Sequence, residues 1–399
     1  PVMLTQAVVI HSRNQSREIS MRVIIVGAGP AGLYAAIALK RARSDLEIRV
    51  VEQNPADVTF GFGVVFSRQA LTFLRKDDPQ TADLIEPHMK HWSDIAVIQA
   101  GQRITIDGIG FSGIGRLELL ELLQYRAHAL RIEPEYETLI DASSDLSGFD
   151  LVIGADGFNS SVRRAESLSF GEEITLLQNR FAWFGAEREF ENLTQAFIGT
   201  PYGPMNTHHY AYAPGRATFI IEMGSDTFEA SGFGQMREEQ YRAECEMLFA
   251  STLDGTRLIA NNSIWRQFPT LSCRHWFSGR RVLVGDALHT VHFSIGSGTR
   301  LALEDVIALV AALREHDWSL ATALPAYQAV RQPIHEKIAR AGDRSALWYE
   351  SFGEHMRLEP WQFALSYIRR AGRIDAQRLR KIAPGFAADL EAQNIGFDS

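Results

Sequence analysis

A short β-branched run, Arg22-Val-Ile-Ile-Val26, feeds directly into Gly27-Ala-Gly29-Pro-Ala-Gly32, and few folds accept that junction. The pattern predicts a buried strand, a tight glycine turn, and a helix over Pro30 to Arg41, with Pro30 in the first turn where its missing N–H costs little. A second strand, Ile48 to Val51, closes a βαβ unit and ends at Glu52, 20 residues after Gly32. In such a unit each glycine has its own task. Gly27 makes the turn, Gly29 admits a pyrophosphate, Gly32 lets helix and strand pack closely, and the helix N-terminus faces the phosphates. Glu52 is placed to accept hydrogen bonds from an adenosine ribose. These features together point to dinucleotide binding, and by themselves leave FAD and NAD equally acceptable.

The 399 residues, 46% of them apolar, are enough to bury a large core. Forty basic residues against 48 acidic ones give a formal charge of −8, which argues against a nucleic-acid coat or an anionic-membrane anchor and makes small molecules the expected partners. Cys245 and Cys273 are too few for a disulfide framework and lack zinc-site spacing, so no metal is expected and a cytoplasmic home fits. No apolar run approaches the roughly 20 residues that span a bilayer. Residues 1–20 read as an N-terminal extension or an upstream start.

Two further motifs follow the same physical logic. Asp150-Leu-Val-Ile-Gly154-Ala-Asp156-Gly157 is a buried strand ending in an Asp-Gly turn, and Arg281-Val-Leu-Val-Gly285-Asp286 is a buried strand ending in a carboxylate. Between the glycine turn and these, Gly115-Arg116-Leu-Glu-Leu119 opens an amphipathic helix with an arginine. Singly, each has a plain structural reading as a turn or a solvated helix residue. Their joint order resembles the group A flavoprotein monooxygenases, the family of para-hydroxybenzoate hydroxylase. The resemblance implies that Gly27, Gly29, Gly32 and Glu52 hold the ADP part of FAD, that Arg116 lies near the pyrophosphate and ribityl chain, and that Asp156-Gly157 serves both FAD and NAD(P)H. It also implies that the Gly285-Asp286 carboxylate holds the ribityl chain. Phe60–Ser67, Gly110–Arg116 and His289–Asp305 resemble the aryl-CoA hydroxylase branch more closely, and a violacein-pathway hydroxylase shares much of the last stretch. Where the wider superfamily has a Pro-Pro pair and later an asparagine, this chain has His292-Phe293 and Arg300, a departure that the aryl-CoA branch shares.

The implied activity is ring hydroxylation of an electron-rich aryl-CoA thioester, of salicylyl-CoA or anthraniloyl-CoA type, through a flavin C4a-hydroperoxide, with non-covalent FAD, O₂, and NADH or NADPH as a transient co-substrate. Hydroxylation of an indole or free aromatic acid, and a non-oxygenating FAD redox or scaffold protein, are the alternatives; a homodimer is one open possibility for assembly. The helix Thr299 to Arg314 follows Gly296-Ser-Gly298, so its N-terminus is placed to face flavin N1 and the C2 carbonyl, with Gly296, Gly298 and Thr299 at the cofactor. His292, at the flavin-edge position of the resemblance, is the candidate to orient the attacking oxygen or accept a phenolic proton, while a satisfied core histidine is the plain alternative. His289 reads as structural. Aromatic-rich, partly alternating segments at Phe181–Phe184, His209–Tyr212, Ala217–Glu222 and Ile264–Phe268 predict a β-sheet over the flavin's far side, with Trp183, His209 and Tyr212 as pocket candidates. The expected fold class is thus α/β. A discontinuous Rossmann-like FAD-binding domain (21–174 and 276–330) interlocks with a β-sheet substrate domain (175–275), and a helical region (331–399) ends the chain. Arg369, Arg370, Arg373, Arg378, Arg380 and Lys381 form a basic cluster that reads as a solvated face or as a CoA-phosphate contact.

Overall fold

The computed structural model describes residues 20–59, 61–67, 70–372 and 374–397, so Phe60, Arg373 and nearly all of the expected N-terminal extension lie outside the described residues. A five-stranded sheet runs in the order Phe277–Ser278, Arg281–Leu283, Leu151–Gly154, Arg22–Val26, Glu47–Val51. All its pairings are parallel except at the Phe277–Ser278 edge. The central strands are buried on both faces, which is why they read as unbroken Val, Ile and Leu runs. Helices Pro30–Ala42 and Gly298–Glu315 share one apolar cluster with this sheet. The strand Arg281–Leu283 returns from late in the chain to pair with Leu151–Gly154, so the FAD-binding body is discontinuous.

The second sheet has eight strands, in the order Leu258–Ile259, Glu172–Ala186, Arg216–Met223, Gly203–Ala213, Leu193–Thr200, Ile95–Gln99, Gln102–Ile106, with Arg266–Cys273 also paired to Glu172–Ala186. Its edge therefore draws two strands from residues 95–106, ahead of the 175–275 segment expected to form it. Ile95–Gln99 and Gln102–Ile106 form a hairpin around Ala100 and Gly101, both at positive φ. The hairpin then adds in parallel to Leu193–Thr200, which covers an edge that would otherwise lie open. One face of this sheet carries Phe184, Phe219 and Met223 into a core with Tyr241 and Phe249 of the covering helices. The other face carries Phe197 and Tyr210 into a core with Trp92, Tyr349, Phe363 and Phe386, most of it from the C-terminal helices. A three-stranded sheet of Gly63–Ser67, Phe111–Gly115 and Lys90–Trp92 bridges the two bodies. Among the described residues no helix is long and apolar enough to cross a membrane.

Candidate active site

The three glycines of the first turn separate cleanly by what surrounds them. A Cβ on Gly32 would lie 1.8 Å from the Gly27 carbonyl oxygen, and one on Gly27, at φ +101°, would lie 2.4 Å from the Ala155 oxygen. Both positions are required by packing. A Cβ on Gly29 would meet nothing within 4 Å, and Gly29 is the N-cap of the helix Pro30–Ala42. Open ground at a helix N-terminus is where a pyrophosphate binds. Glu52 carries more than the ribose role expected of it. Its carboxylate accepts from Ala28 N–H at 2.9 Å, from Asn54 N–H at 2.9 Å and from Asn54 Nδ2 at 2.7 Å, so it also fixes the glycine turn.

Asp156 accepts from Ser161 N–H at 2.6 Å and Ser161 Oγ at 2.8 Å through Oδ2, while its buried Oδ1 has no protein partner. Gly285, at φ +60°, donates its N–H to Asp305 Oδ2 at 3.1 Å and turns the chain so that Asp286 faces the cleft. Asp286 is hemmed in by protein, which pushes its carboxyl up, while Arg116 and His289 pull it back; the side chain stays accessible because the cleft lies before it. Arg116 starts the helix Arg116–Ala129, where burial pulls its pKa down and Asp286 opposes this; its Nε is buried without a partner. With Phe62, Tyr212 and Asn261 it lines a cavity of about 550 Å³. Open ground at Gly29, Gly157 and Gly298, with unpartnered acceptor and donor atoms at Asp156 and Arg116, fits a bound FAD.

Sequence reasoning missed Arg163. It is 2% exposed and donates to Glu172 at 2.5 Å, to the Phe158 carbonyl at 2.6 Å and to the Ala287 carbonyl at 2.7 Å. One guanidinium thereby ties the Asp-Gly turn to the Gly-Asp turn. An arginine six residues after Gly157 was the available signal. Asp305 works from behind the second turn: besides Gly285 N–H it accepts from Arg331 Nε at 2.8 Å, and His289 Nε2 lies 2.8 Å away. His289 stacks on His335 at 3.7 Å, a packed and structural setting.

The loop after the Gly-Asp turn holds His292 and leads to the helix Gly298–Glu315. A Cβ on Gly298 would meet nothing within 4 Å, whereas one on Gly296, at φ +58°, would lie 3.3 Å from Val65, so Gly298 faces open ground and Gly296 makes the turn. Thr299 is half-buried beside it. Arg300, in the place of the superfamily asparagine, is held by Glu304 at 2.8 Å. His292 is 4% exposed, and burial lowers its pKa to about 4, with Glu222 opposing. Its Nδ1 accepts from Ser294 N–H at 3.4 Å and lies 2.8 Å from Ser294 Oγ. Nδ1 thus serves as an acceptor and Nε2 bears the proton. A neutral imidazole of low basicity is suited to hydrogen-bond donation and ill suited to taking a phenolic proton.

The strand Gly203–Ala213 alternates between the two faces of its sheet, and this alternation sorts the pocket candidates. Tyr212 packs on Gly63 and Gly115 and lines the cavity; Trp183 is half-buried with its ring 3.6 Å from a Cβ built on Gly61 and its Nε1 unpartnered. His209 points the other way. Its ring lies 4.3 Å from Phe190 and 5.3 Å from Phe219 in the core under the covering helices, and burial lowers its pKa to about 3. The next residue back, His208, occupies the opposite face with Nε2 3.0 Å from Glu222 Oε2, and Glu222 also accepts from Asn179 Nδ2 at 2.8 Å. Sequence reasoning placed His209 at the pocket and the structure turns it into a core, which the sequence could not announce because a strand covered on both faces gives no polarity cue to its parity.

In the C-terminal basic cluster, Arg369 is bonded to the Ile374 and Phe397 carbonyls, and Arg370 to the Tyr367 and Ser294 carbonyls at 2.9 and 3.0 Å. Both are tied into the fold; Arg378, Arg380 and Lys381 are the exposed members. Among the described residues no group of three or more metal-ligating side chains gathers.

Comparison with known proteins agrees with this geometry. A profile of the FAD binding domain matches residues 142–341, and one of an NAD(P)-binding Rossmann-like domain matches residues 25–84. The chain is 38% identical over 361 residues to salicyloyl-CoA 5-hydroxylase of a Streptomyces species, covering 88% of this chain and 70% of that one. It is 36% identical over 330 residues to 3-hydroxy-4-methyl-anthranilyl-[aryl-carrier protein] 5-monooxygenase of Streptosporangium sibiricum, covering 82% and 89%. The fold is similar to that of 2-methyl-3-hydroxypyridine-5-carboxylic acid oxygenase, with a TM-score of 0.66 at 19% identity over 88% of this chain and 96% of that one. With FAD as cofactor and NAD(P)H as electron donor, the chain belongs to the FAD-dependent aromatic monooxygenases of the para-hydroxybenzoate hydroxylase superfamily.

Proposed function

We propose that the protein hydroxylates the ring of an aryl thioester, carried on CoA or on a carrier protein, para to a ring hydroxyl or amino group. The observation that carries this reading is the pair of relatives above, whose names both describe a benzoyl group bearing an ortho donor, held on a carrier and oxidised at carbon 5. Carbon 5 is para to that donor, the position an electrophilic oxygen selects. Bound FAD supplies the chemistry of reduction by NAD(P)H and activation of O₂. The chain's own residues do the rest. Gly29, Gly157, Arg116 and Asp286 hold the cofactor's phosphate and ribityl regions, and the N-terminus of Gly298–Glu315 offers N–H groups toward the flavin. His292 Nε2–H faces the reacting edge as a hydrogen-bond donor. Phe181, Phe268 and Phe293 pack together beside it and exclude water.

The thiols of Cys245 and Cys273 are buried and unpaired, which supports a reducing compartment such as the cytoplasm. The test is NAD(P)H consumption against salicyloyl-CoA, anthraniloyl-CoA, the free acids and indoles, with product analysis under isotopically labelled oxygen. We expect substrate-stimulated consumption and one labelled oxygen at the para carbon with a thioester. Equal turnover of the free acids, or preference for an indole, would replace the thioester reading.

A further inference from the structure

Among the buried polar groups that the proposed chemistry leaves unused is a carboxylate–imidazole pair. His208 and Glu222 lie on adjacent strands of the eight-stranded sheet, with side chains 5% and 2% exposed, and their nearest atoms are 3.0 Å apart. A buried carboxylate–imidazole pair adds little net stability over apolar side chains of the same volume, so its presence asks for a use. It lies on the face that meets the loop carrying His292. The His208 ring is 5.2 Å from Phe293 and 4.9 Å from Tyr349, and the His292 ring is 4.3 Å and 6.0 Å from the same two rings. Asn206, opposite Glu222 in the strand ladder, is fully buried, and neither polar atom of its carboxamide has a partner.

Hydrogen-bond accounting fixes what the pair can offer. Burial pushes the Glu222 carboxyl up, but His208, His292 and Asn179 outweigh it and hold the group below its ordinary range. An ionised carboxylate only accepts, and it already accepts from Asn179 Nδ2 at 2.8 Å. The His208 nitrogen facing it therefore carries the proton, and no hydrogen bond among the described residues engages Nδ1, which is an acceptor whenever the ring carries a single proton. His292 has the opposite arrangement, an occupied Nδ1 and a free Nε2–H. One acceptor and one donor thus flank the same pair of aromatic rings.

We propose that His208, held by Glu222, is the specificity-determining residue that accepts the hydrogen bond of the substrate's ring hydroxyl or amino group. The assignment rests on the aryl-thioester reading for its choice of ligand and deepens it: a ring without an O–H or N–H donor leaves Nδ1 without a partner. A site built to bond such a group rejects the analogue lacking it. Glu222 is a positioning residue that sets the tautomer, and His208 is the group that touches substrate.

The experiment uses the FAD-loaded full chain and reads dissociation constants from the change in flavin absorbance for two ligand pairs, salicyloyl-CoA with benzoyl-CoA and salicylate with benzoate. Within each pair only the ring hydroxyl differs. The wild type is expected to prefer the hydroxylated member of the thioester pair by about tenfold or more. His208→Phe brings the ratio close to one. His208→Asn, whose side-chain oxygen reaches the region of Nδ1, retains part of it, and Glu222→Gln lowers it by releasing the tautomer. A ratio unchanged in His208→Phe, or a wild type that binds both members equally, overturns the assignment. Should His208→Phe fail to retain FAD, Glu222→Gln decides, and an unchanged ratio there overturns it too. If neither thioester binds but salicylate is preferred over benzoate in a His208-dependent way, the thioester reading fails and the role of His208 stands. If the wild type binds neither pair, both fail.

Discussion

Asp286 and His209 show how far one side chain's meaning depends on which way it faces. Asp286 looks into the cleft, so Asp286→Ala removes a charged acceptor from the ribityl hydroxyls, a loss of about 1.5–3 kcal/mol or about 10- to 100-fold in FAD affinity. Titration of apoprotein with FAD measures it, and unchanged affinity would remove Asp286 from the site. His209 looks into a core, where its Nδ1 is buried without a partner. Replacing it with phenylalanine deletes an unsatisfied group among Phe190 and Phe219, so His209→Phe is expected to leave turnover intact and the melting temperature unchanged or higher. Lost turnover in a well-folded His209→Phe would return that residue to the pocket. Burial also lowers the pKa of three histidines, to about 3 for His209, about 4 for His292 and about 3 for His335, from an ordinary 6.5. The unfolded chain binds protons at these sites as pH falls through 6.5 while the folded chain does not. Their contribution to stability is therefore fully present above that pH and is lost progressively toward about 4. Denaturant unfolding across this range should show stability rising with pH, and His209→Phe should flatten the rise.

The strand–turn–helix element makes a sharper distinction than its motif does. Gly32→Val drives a side chain into the Gly27 carbonyl, 1.8 Å from the new Cβ, and is expected to unfold the apoprotein or lower its melting temperature substantially. The Cβ of Gly29→Val meets no atom of the described residues within 4 Å, so the apoprotein should keep its melting temperature and circular dichroism while FAD binding is abolished. Equal damage to both apoproteins would mean that Gly29 serves packing instead of ligand approach. Between elements, Arg163 joins the Asp-Gly turn to the Gly-Asp turn through the Phe158 and Ala287 carbonyls. Its removal leaves Glu172 and two carbonyls without this donor, which unlinks the two turns from one another.

At the scale of the whole molecule, the rings around the proposed substrate contact come from pieces far apart in the chain: the sheet carrying His208 and Glu222, the loop carrying His292 and Phe293, and Tyr349 of the helix Leu320–Glu350. NAD(P)H is expected to visit transiently, reducing the flavin quickly only when substrate is bound. Stopped-flow reduction at the same rate with and without the true substrate would contradict this. The sequence by itself determined the cofactor-binding half. Gly27 and Gly32, the runs at 22–26, 151–154 and 281–283, and the acids Asp156 and Asp286 that follow the last two are constrained by local geometry, and local geometry leaves a signature in neighbouring residues. Only the tertiary structure decided the substrate half. The parity of Gly203–Ala213, which turns His208 toward Phe293 and Tyr349 and His209 toward Phe190 and Phe219, depends on what covers each face of the sheet. The hairpin at 95–106 joins that sheet through a pairing 98 residues away, and the bonds that tie Arg369 and Arg370 inward are made by carbonyls that no spacing in the chain announces. Long-range packing sets those contacts, and alternation in a strand covered on both sides carries no information about which side is which.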